Sequence, residues 1–175
     1  MEFKDSREYI TELKRAVDLI NHKEIEEISE VLIKAYKTDK AVFIIGNGGS
    51  ASTASHFACD LGKGTVKGNY NMNKKRFRVH SLTDNVALLT AYGNDLRYED
   101  IFAQQLKNLL NAGDILIVLT GSGNSKNILK AVELANEVGA ITIGFLGFDG
   151  GEVAKSLDYK IIIKSDNYGV IEDLH

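Results

Sequence analysis

Proline and tryptophan are absent from all 175 residues, and cysteine occurs once, as Cys59. Without proline, turns must be made by Gly, Asn and Asp, which adopt positive φ or bond their own backbone. A lone cysteine excludes an internal disulfide framework. Cys59 reads as small apolar packing and not as a nucleophile, because no base stands at an obvious spacing from it. No apolar run approaches the ~20 residues that span a bilayer, and the first thirty residues lack a basic-then-apolar leader. A soluble, cytoplasmic protein with no membrane partner is expected. Positive charge is not in excess either: 21 Lys+Arg against 24 Asp+Glu give a net charge of −3, which argues against a nucleic-acid partner held by a broad basic surface. What is present, 44% hydrophobic and 26% charged residues, suits a single globular domain over residues 1–175.

Apolar residues recur at three- and four-residue intervals from Tyr9 to Ile20 and again from Ile25 to Ala35. This predicts two amphipathic helices, the first opened by Asp5 and Glu8. They make an N-terminal helical arm over 1–38, available for packing between subunits. From residue 41 the period changes. Short continuous apolar runs at 41–45, 77–82, 115–119, 140–146 and 159–163 read as strands covered on both faces. Helical patterns alternate with them at 51–61, 98–110, 125–138 and 152–156, and one more contains Val86, Leu88 and Leu89. The core over 41–175 is therefore expected to be α/β, a three-layer sandwich around a five-stranded parallel sheet of flavodoxin- or Rossmann-like type. The polar stretch 62–75 is expected to be a mobile loop. Asp166-Asn167-Tyr168-Gly169 turns into a final helix of about six residues, too short to be stable alone, so a longer natural helix is expected.

Two glycine-containing loops each join a strand to a helix: Gly46-Asn47-Gly48-Gly49-Ser50 and Thr120-Gly121-Ser122-Gly123-Asn124-Ser125. In open α/β sheets ligands bind beyond the carboxyl ends of strands, where helix N-termini offer free N–H donors. The second loop adds the hydroxyls of Thr120, Ser122 and Ser125, enough neutral donors to hold a phosphate monoester without arginine. Both loops also fit ordinary turns with N-caps. A nucleotide cofactor is not expected: the first loop matches only the relaxed dinucleotide pattern, no acidic residue ends the next strand about 20 residues on, and no Walker motif exists.

His56 and Asp60, four apart on the helix after the first loop, share one face and can divide a proton-transfer task or supply two metal ligands. The same spacing also makes surface hydrogen bonds. Glu172 and His175 share a face of the last helix, and Asp84 either joins a site with Asn85 or caps the helix that follows. His80 reads as structural.

The ordered set Gly46-Asn47-Gly48-Gly49-Ser50, His56-Phe57-Ala58, Gly93-Asn94-Asp95, Ser122-Gly123-Asn124-Ser125 and Asp149-Gly150-Gly151 resembles the SIS (sugar isomerase) domain family, and within it the phosphoheptose isomerases. The resemblance implies a homotetramer with active sites between subunits. It implies conversion of sedoheptulose 7-phosphate to an aldose heptose 7-phosphate, feeding activated heptose into surface polysaccharide. By the same resemblance Thr120, Ser122 and Ser125 would hold the phosphate, Asn47 and Ser50 would lie near the sugar, and Gly48, Asp84, Asn85, Gly121, Asn124 and Glu172 would complete the substrate site. His56 and Asp60 would be catalytic. Asp60 stands where the family carries Glu, one methylene longer. Some members hold zinc, here implying His56, Asp60 and Glu172 with a histidine beyond residue 175; Glu172 replaces the usual Gln and adds a charged ligand. The family also includes non-catalytic members that bind sugar phosphates or, as a tetrameric scaffold, the bacterial replication initiator. The His56–Asp60 pair favours the enzyme, since a scaffold needs no proton-transfer pair.

Overall fold

A computed structural model describes residues 3–66 and 73–175. Five parallel strands, β1 (Ala41–Gly46), β2 (Arg78–Ser81), β3 (Ile115–Thr120), β4 (Ile141–Gly147) and β5 (Tyr159–Ile163), lie in the order β2-β1-β3-β4-β5. Every neighbouring pair is parallel. Successive residues of a strand face opposite ways, so β1 sends Phe43 and Ile45 into one core and Val42 and Ile44 into the other. That is why the strands read as unbroken apolar runs.

One face is covered by α5 (Ile101–Leu109) and α6 (Lys126–Val138), through residues such as Phe102, Leu106, Ile128 and Val132. The other is covered by α1 (Ser6–Asp18), α2 (His22–Lys37), α3 (Gly49–Cys59) and α7 (Tyr168–Leu174), through Ala16, Ile28, Ala54, Val170 and Ile171. The three-layer expectation holds. The N-terminal helices form part of one layer. The Asp5 side chain caps α1, accepting from the N–H groups of Arg7 and Glu8. Tyr9 donates a hydrogen bond to Asp173 of α7. The Glu12 carboxylate takes both forks of Arg15 at 2.7 Å and the Ser165 hydroxyl at 2.7 Å.

Helix α4 (Val86–Asp95) is capped by Asn85, which accepts from the Leu88 N–H at 3.1 Å, not by Asp84. The helix expected over 98–110 opens with a 3₁₀ turn, Tyr98–Asp100. The short helix near 152–156 is a 3₁₀ turn, Val153–Lys155. Cys59 is exposed, against expectation: the inward face of α3 is taken by Ala54, Phe57 and Ala58, and Cys59 lies about 100° around the helix from its neighbour. The α7 helix is anchored by the full burial of Val170 and Ile171, so tertiary packing supplies what its length lacks. Part of the loop expected over 62–75, residues 67–72, lies outside the described residues; 60–64 instead form a π-helical turn, Asp60–Gly64. Among the described residues no helix is long and apolar enough to cross a membrane.

Candidate active site

The strand order turns back on itself between β1 and β3, since β2 lies to one side of β1 and β3 to the other. Ligands of open parallel sheets bind at such a switch point, beyond the carboxyl ends of the strands. The two glycine-containing loops leave the sheet there: Gly46 of β1 is in register with Leu119 of β3, and each strand ends within one residue of that pair.

In the second loop the buried Thr120 hydroxyl accepts from the Gly123 N–H at 3.2 Å, and Ser122 Oγ accepts from the Asn124 N–H at 3.3 Å. Both hydroxyls fix the loop and keep their own O–H to donate. Ser125, at the N-cap of α6, makes no side-chain cap bond. The Asn124 carbonyl oxygen accepts from the Glu152 N–H at 2.9 Å, so half of that side chain is structural. Gly121 lies under the ring of Tyr168, where a Cβ would come within 2.8 Å of the ring.

The first loop is tied by side chains to the first turn of α6, just beyond the second loop, and to the 3₁₀ turn before α5. Asn47 donates to Asn127 Oδ1 at 2.9 Å and accepts from Asn127 Nδ2 at 2.8 Å; the Tyr98 hydroxyl also donates to Asn47 Oδ1, at 3.1 Å. These three residues and Ser125 line a cavity of about 350 Å³ that Arg97 and Lys126 also border. Glu99 in its wall carries the Lys130 ammonium at 2.8 Å, and with Arg97 this holds its carboxyl below the ordinary range. Gly48 is exposed and Ser50 is buried in the first turn of α3. Asp84 is exposed and accepts from Ser55 of α3.

His56 Nε2 and Asp60 Oδ2 are 3.5 Å apart, on exposed side chains, where α3 passes into the π-helical turn. Such interruptions recur at functional sites. The pair lines a second cavity, of about 310 Å³, with Phe57, Phe145 and His175. Both ring nitrogens of His175 are shielded from solvent and have no hydrogen-bond partner among the described residues. Burial lowers the His175 pKa; the nearby Leu146 carbonyl, outside hydrogen-bond geometry, and the Glu172 carboxylate act against that shift. Glu172 lies at the opposite end of α3, its Oε1 3.0 Å from where a Gly49 Cβ would stand. That end is roughly 16 Å from Asp60 at about 1.5 Å rise per residue.

One chain therefore gathers Asn47 and Ser125 at one cavity and His56 and Asp60 at another. Glu172 is close to the first loop and far from Asp60. Among the described residues no three His, Cys, Asp or Glu side chains are grouped to hold an ion. Sequence reasoning passed over Tyr98, Asn127 and the pocket position of His175. The asparagine stands only two residues beyond Ser125, but nothing local announces a partner 80 residues away.

The sequence model of the SIS domain matches residues 7–147. The chain is 39% identical over 158 residues to phosphoheptose isomerase of Sulfurimonas denitrificans, covering 90% of this chain and 77% of that one. It is 38% identical to the Clostridium acetobutylicum phosphoheptose isomerase over 152 residues, 87% of this chain and 75% of the relative. Among solved structures, phosphoheptose isomerase of Neisseria gonorrhoeae superposes with a TM-score of 0.85 at 28% identity, covering 97% of this chain and 87% of that one. The Francisella tularensis phosphoheptose isomerase gives 0.85 at 30% identity, covering 95% and 85%. With the paired loops at the switch point and the fold in agreement, the chain belongs to the SIS domain family, in its phosphoheptose isomerase branch.

Proposed function

We propose that this protein is an aldose–ketose isomerase that converts sedoheptulose 7-phosphate to D-glycero-D-manno-heptose 7-phosphate, supplying activated heptose for surface polysaccharide in the cytoplasm. The observation that carries the reading is the placement of two donor-bearing loops side by side at the β1/β3 switch point, with hydroxyls and backbone N–H groups beside Arg97 and Lys126. A phosphate suits that lining, because several neutral donors can each bond a charged oxygen.

In the direction from ketose to aldose, a base removes a proton from C1, the C2 carbonyl oxygen gains a proton, and the enediol so formed is reprotonated at C2 while the C1 hydroxyl loses its proton to become the aldehyde. Asp60 is the carboxylate assigned to carry the carbon-bound proton, with His56 beside it to exchange the oxygen-bound ones. On one chain these groups and the phosphate loop border different cavities. The reading therefore requires a second copy to bring the His56–Asp60 face of one chain to the loops of another. A homotetramer is proposed, using exposed apolar residues such as Ile10, Val17 and Ile33 of the first helices and Val86 of α4. Zinc enters this reading only as an ion shared between copies, and no step above runs through it.

The deciding experiment incubates the protein with sedoheptulose 7-phosphate and follows the aldose product by NMR. Turnover is expected. Binding of the sugar phosphate without any product would reject the isomerase in favour of a non-catalytic binding protein.

A further inference from the structure

The Asn47–Asn127 contact does more than tie the first loop to α6. A carboxamide has two donor hydrogens and two acceptor lone pairs. Asn47 Oδ1 accepts from Asn127 Nδ2 and from the Tyr98 hydroxyl, so both of its lone pairs are used. One Nδ2 hydrogen goes to Asn127 Oδ1. The other has no acceptor among the described residues, and Asn47 lines the cavity next to Ser125. Asn127 is 3% exposed, so the ring of two hydrogen bonds it closes with Asn47 is shielded from solvent on that side.

The amide pair alone permits two states, related by flipping both side chains together, because the reciprocal bonds survive the flip. Tyr98 breaks the tie. A phenol, with its oxygen lone pair drawn into the ring, is a better donor than acceptor, and it therefore favours the state in which it meets the Asn47 carbonyl oxygen. In that state Asn47 offers the cavity one N–H donor and no free acceptor of its own.

We propose that Asn127 and Tyr98 are positioning residues that lock the Asn47 carboxamide with its free N–H toward the substrate cavity, making this wall selective for an acceptor oxygen of the ligand, either phosphate or carbonyl. The inference rests on the sugar-phosphate reading above. Neither residue need touch the substrate.

The test is a double-mutant cycle read in KM and kcat for sedoheptulose 7-phosphate, with Asn47→Ala, Asn127→Leu and Tyr98→Phe alone and in pairs. Asn47→Ala is expected to raise KM about tenfold, the worth of roughly one hydrogen bond to a charged group. Asn127→Leu keeps the branched heavy-atom shape of the side chain and should raise KM by a similar factor, and the Asn47→Ala/Asn127→Leu pair should be no worse than Asn47→Ala alone. Effects that instead multiply, to about a hundredfold, overturn the proposal, as does a folded Asn127→Leu protein with unchanged KM. Tyr98 is mostly exposed, so Tyr98→Phe cannot fail for want of folding. It should raise KM a few-fold in the parent and not at all on the Asn47→Ala background; an equal effect on both backgrounds overturns the proposal.

A second readout does not need turnover. In ¹H–¹⁵N spectra of the side-chain amides, Tyr98→Phe should move the Asn47 resonances, and inorganic phosphate should move one of the two Asn47 protons in the parent only. Unmoved Asn47 resonances in Tyr98→Phe refute the lock. Absence of turnover by the parent protein would sink the isomerase reading, and the spectra would still decide this one.

Discussion

The carboxylate of Glu172 lies against Gly49, with Oε1 3.0 Å and Oε2 3.2 Å from the position a Cβ would take. Residue 49 opens α3, so a negative side chain is set where the helix end carries partial positive charge. The neighbours of Glu172 on α7 bind the same region: Tyr168 covers Gly121, and Ile171 covers Gly147.

Gly49→Ala tests that relationship. The new methyl meets only the flexible end of a side chain, and alanine is the better helix former by about 0.5–1 kcal/mol. The variant should fold with an unchanged or slightly higher Tm while displacing the Glu172 carboxylate. If Glu172 serves the substrate, kcat/KM falls and Tm does not. An unchanged kcat/KM with a crystallographically moved Glu172 would remove that residue from the site.

Asp60→Asn keeps the size of the side chain and removes its basicity. General-base groups contribute about 10²- to 10⁴-fold, so kcat should fall by at least 10² while calorimetry still detects sugar-phosphate binding. Turnover near the parent rate would reject Asp60 as the base.

Ser125 has a hydroxyl free of capping duty. Ser125→Ala should weaken binding of inorganic phosphate about ten- to a hundredfold, from the roughly 1.5–3 kcal/mol of a hydrogen bond to a charged oxygen. Isothermal titration measures it, and a change under twofold would move the anion elsewhere.

Two glycines with positive φ separate strain from crowding. Gly48 has φ 57° and open space around a would-be Cβ, whereas Gly123 has φ 65° and would place a Cβ 2.0 Å from the Gly150 carbonyl oxygen. Gly48→Ala should cost about 1–3 kcal/mol from its backbone alone, because φ 57° with ψ −124° lies outside the left-handed helical well. Gly123→Ala should cost clearly more, since the loop after β3 must part from the loop after β4. Urea unfolding of the two variants gives the comparison, and equal losses would contradict it.

Acid stability should depend on Glu12. Its hydrogen bonds from Arg15 and Ser165 bring the carboxyl from an ordinary 4.5 down to about 2. The folded value is the lower one, so the ionised group stabilises the fold above about 4.5 and that contribution drains away as pH falls from there toward about 2. In urea titrations at a series of pH values, the gap between the parent and Glu12→Gln should be widest above pH 5 and close toward pH 2. A gap independent of pH would show that Glu12 acts through packing.

The layered fold was legible because its signals are local. Unbroken apolar runs at 41–45 and 115–119 gave strands buried on both faces, and the loops after them were placed correctly because a parallel sheet puts every strand-to-helix turn at the same edge. The pairing of His56 with Asp60 followed from one turn of helix. Cys59 was misread because its neighbours' side of α3, and not its own apolar character, decided which way it faced.

The sequence by itself therefore determined the element order, the two donor-bearing loops and the helical spacing of His56 and Asp60, through unbroken apolar runs, glycine-marked turns and a period of 3.6 residues. Tertiary structure alone decided that Asn127 and Tyr98 hold Asn47, that Glu172 reaches Gly49 and that His175 turns into the cavity of His56. It also decided that one chain keeps that cavity apart from the loops. Those relationships depend on which strands lie side by side and on how α7 packs against α3, and no period along the chain encodes either.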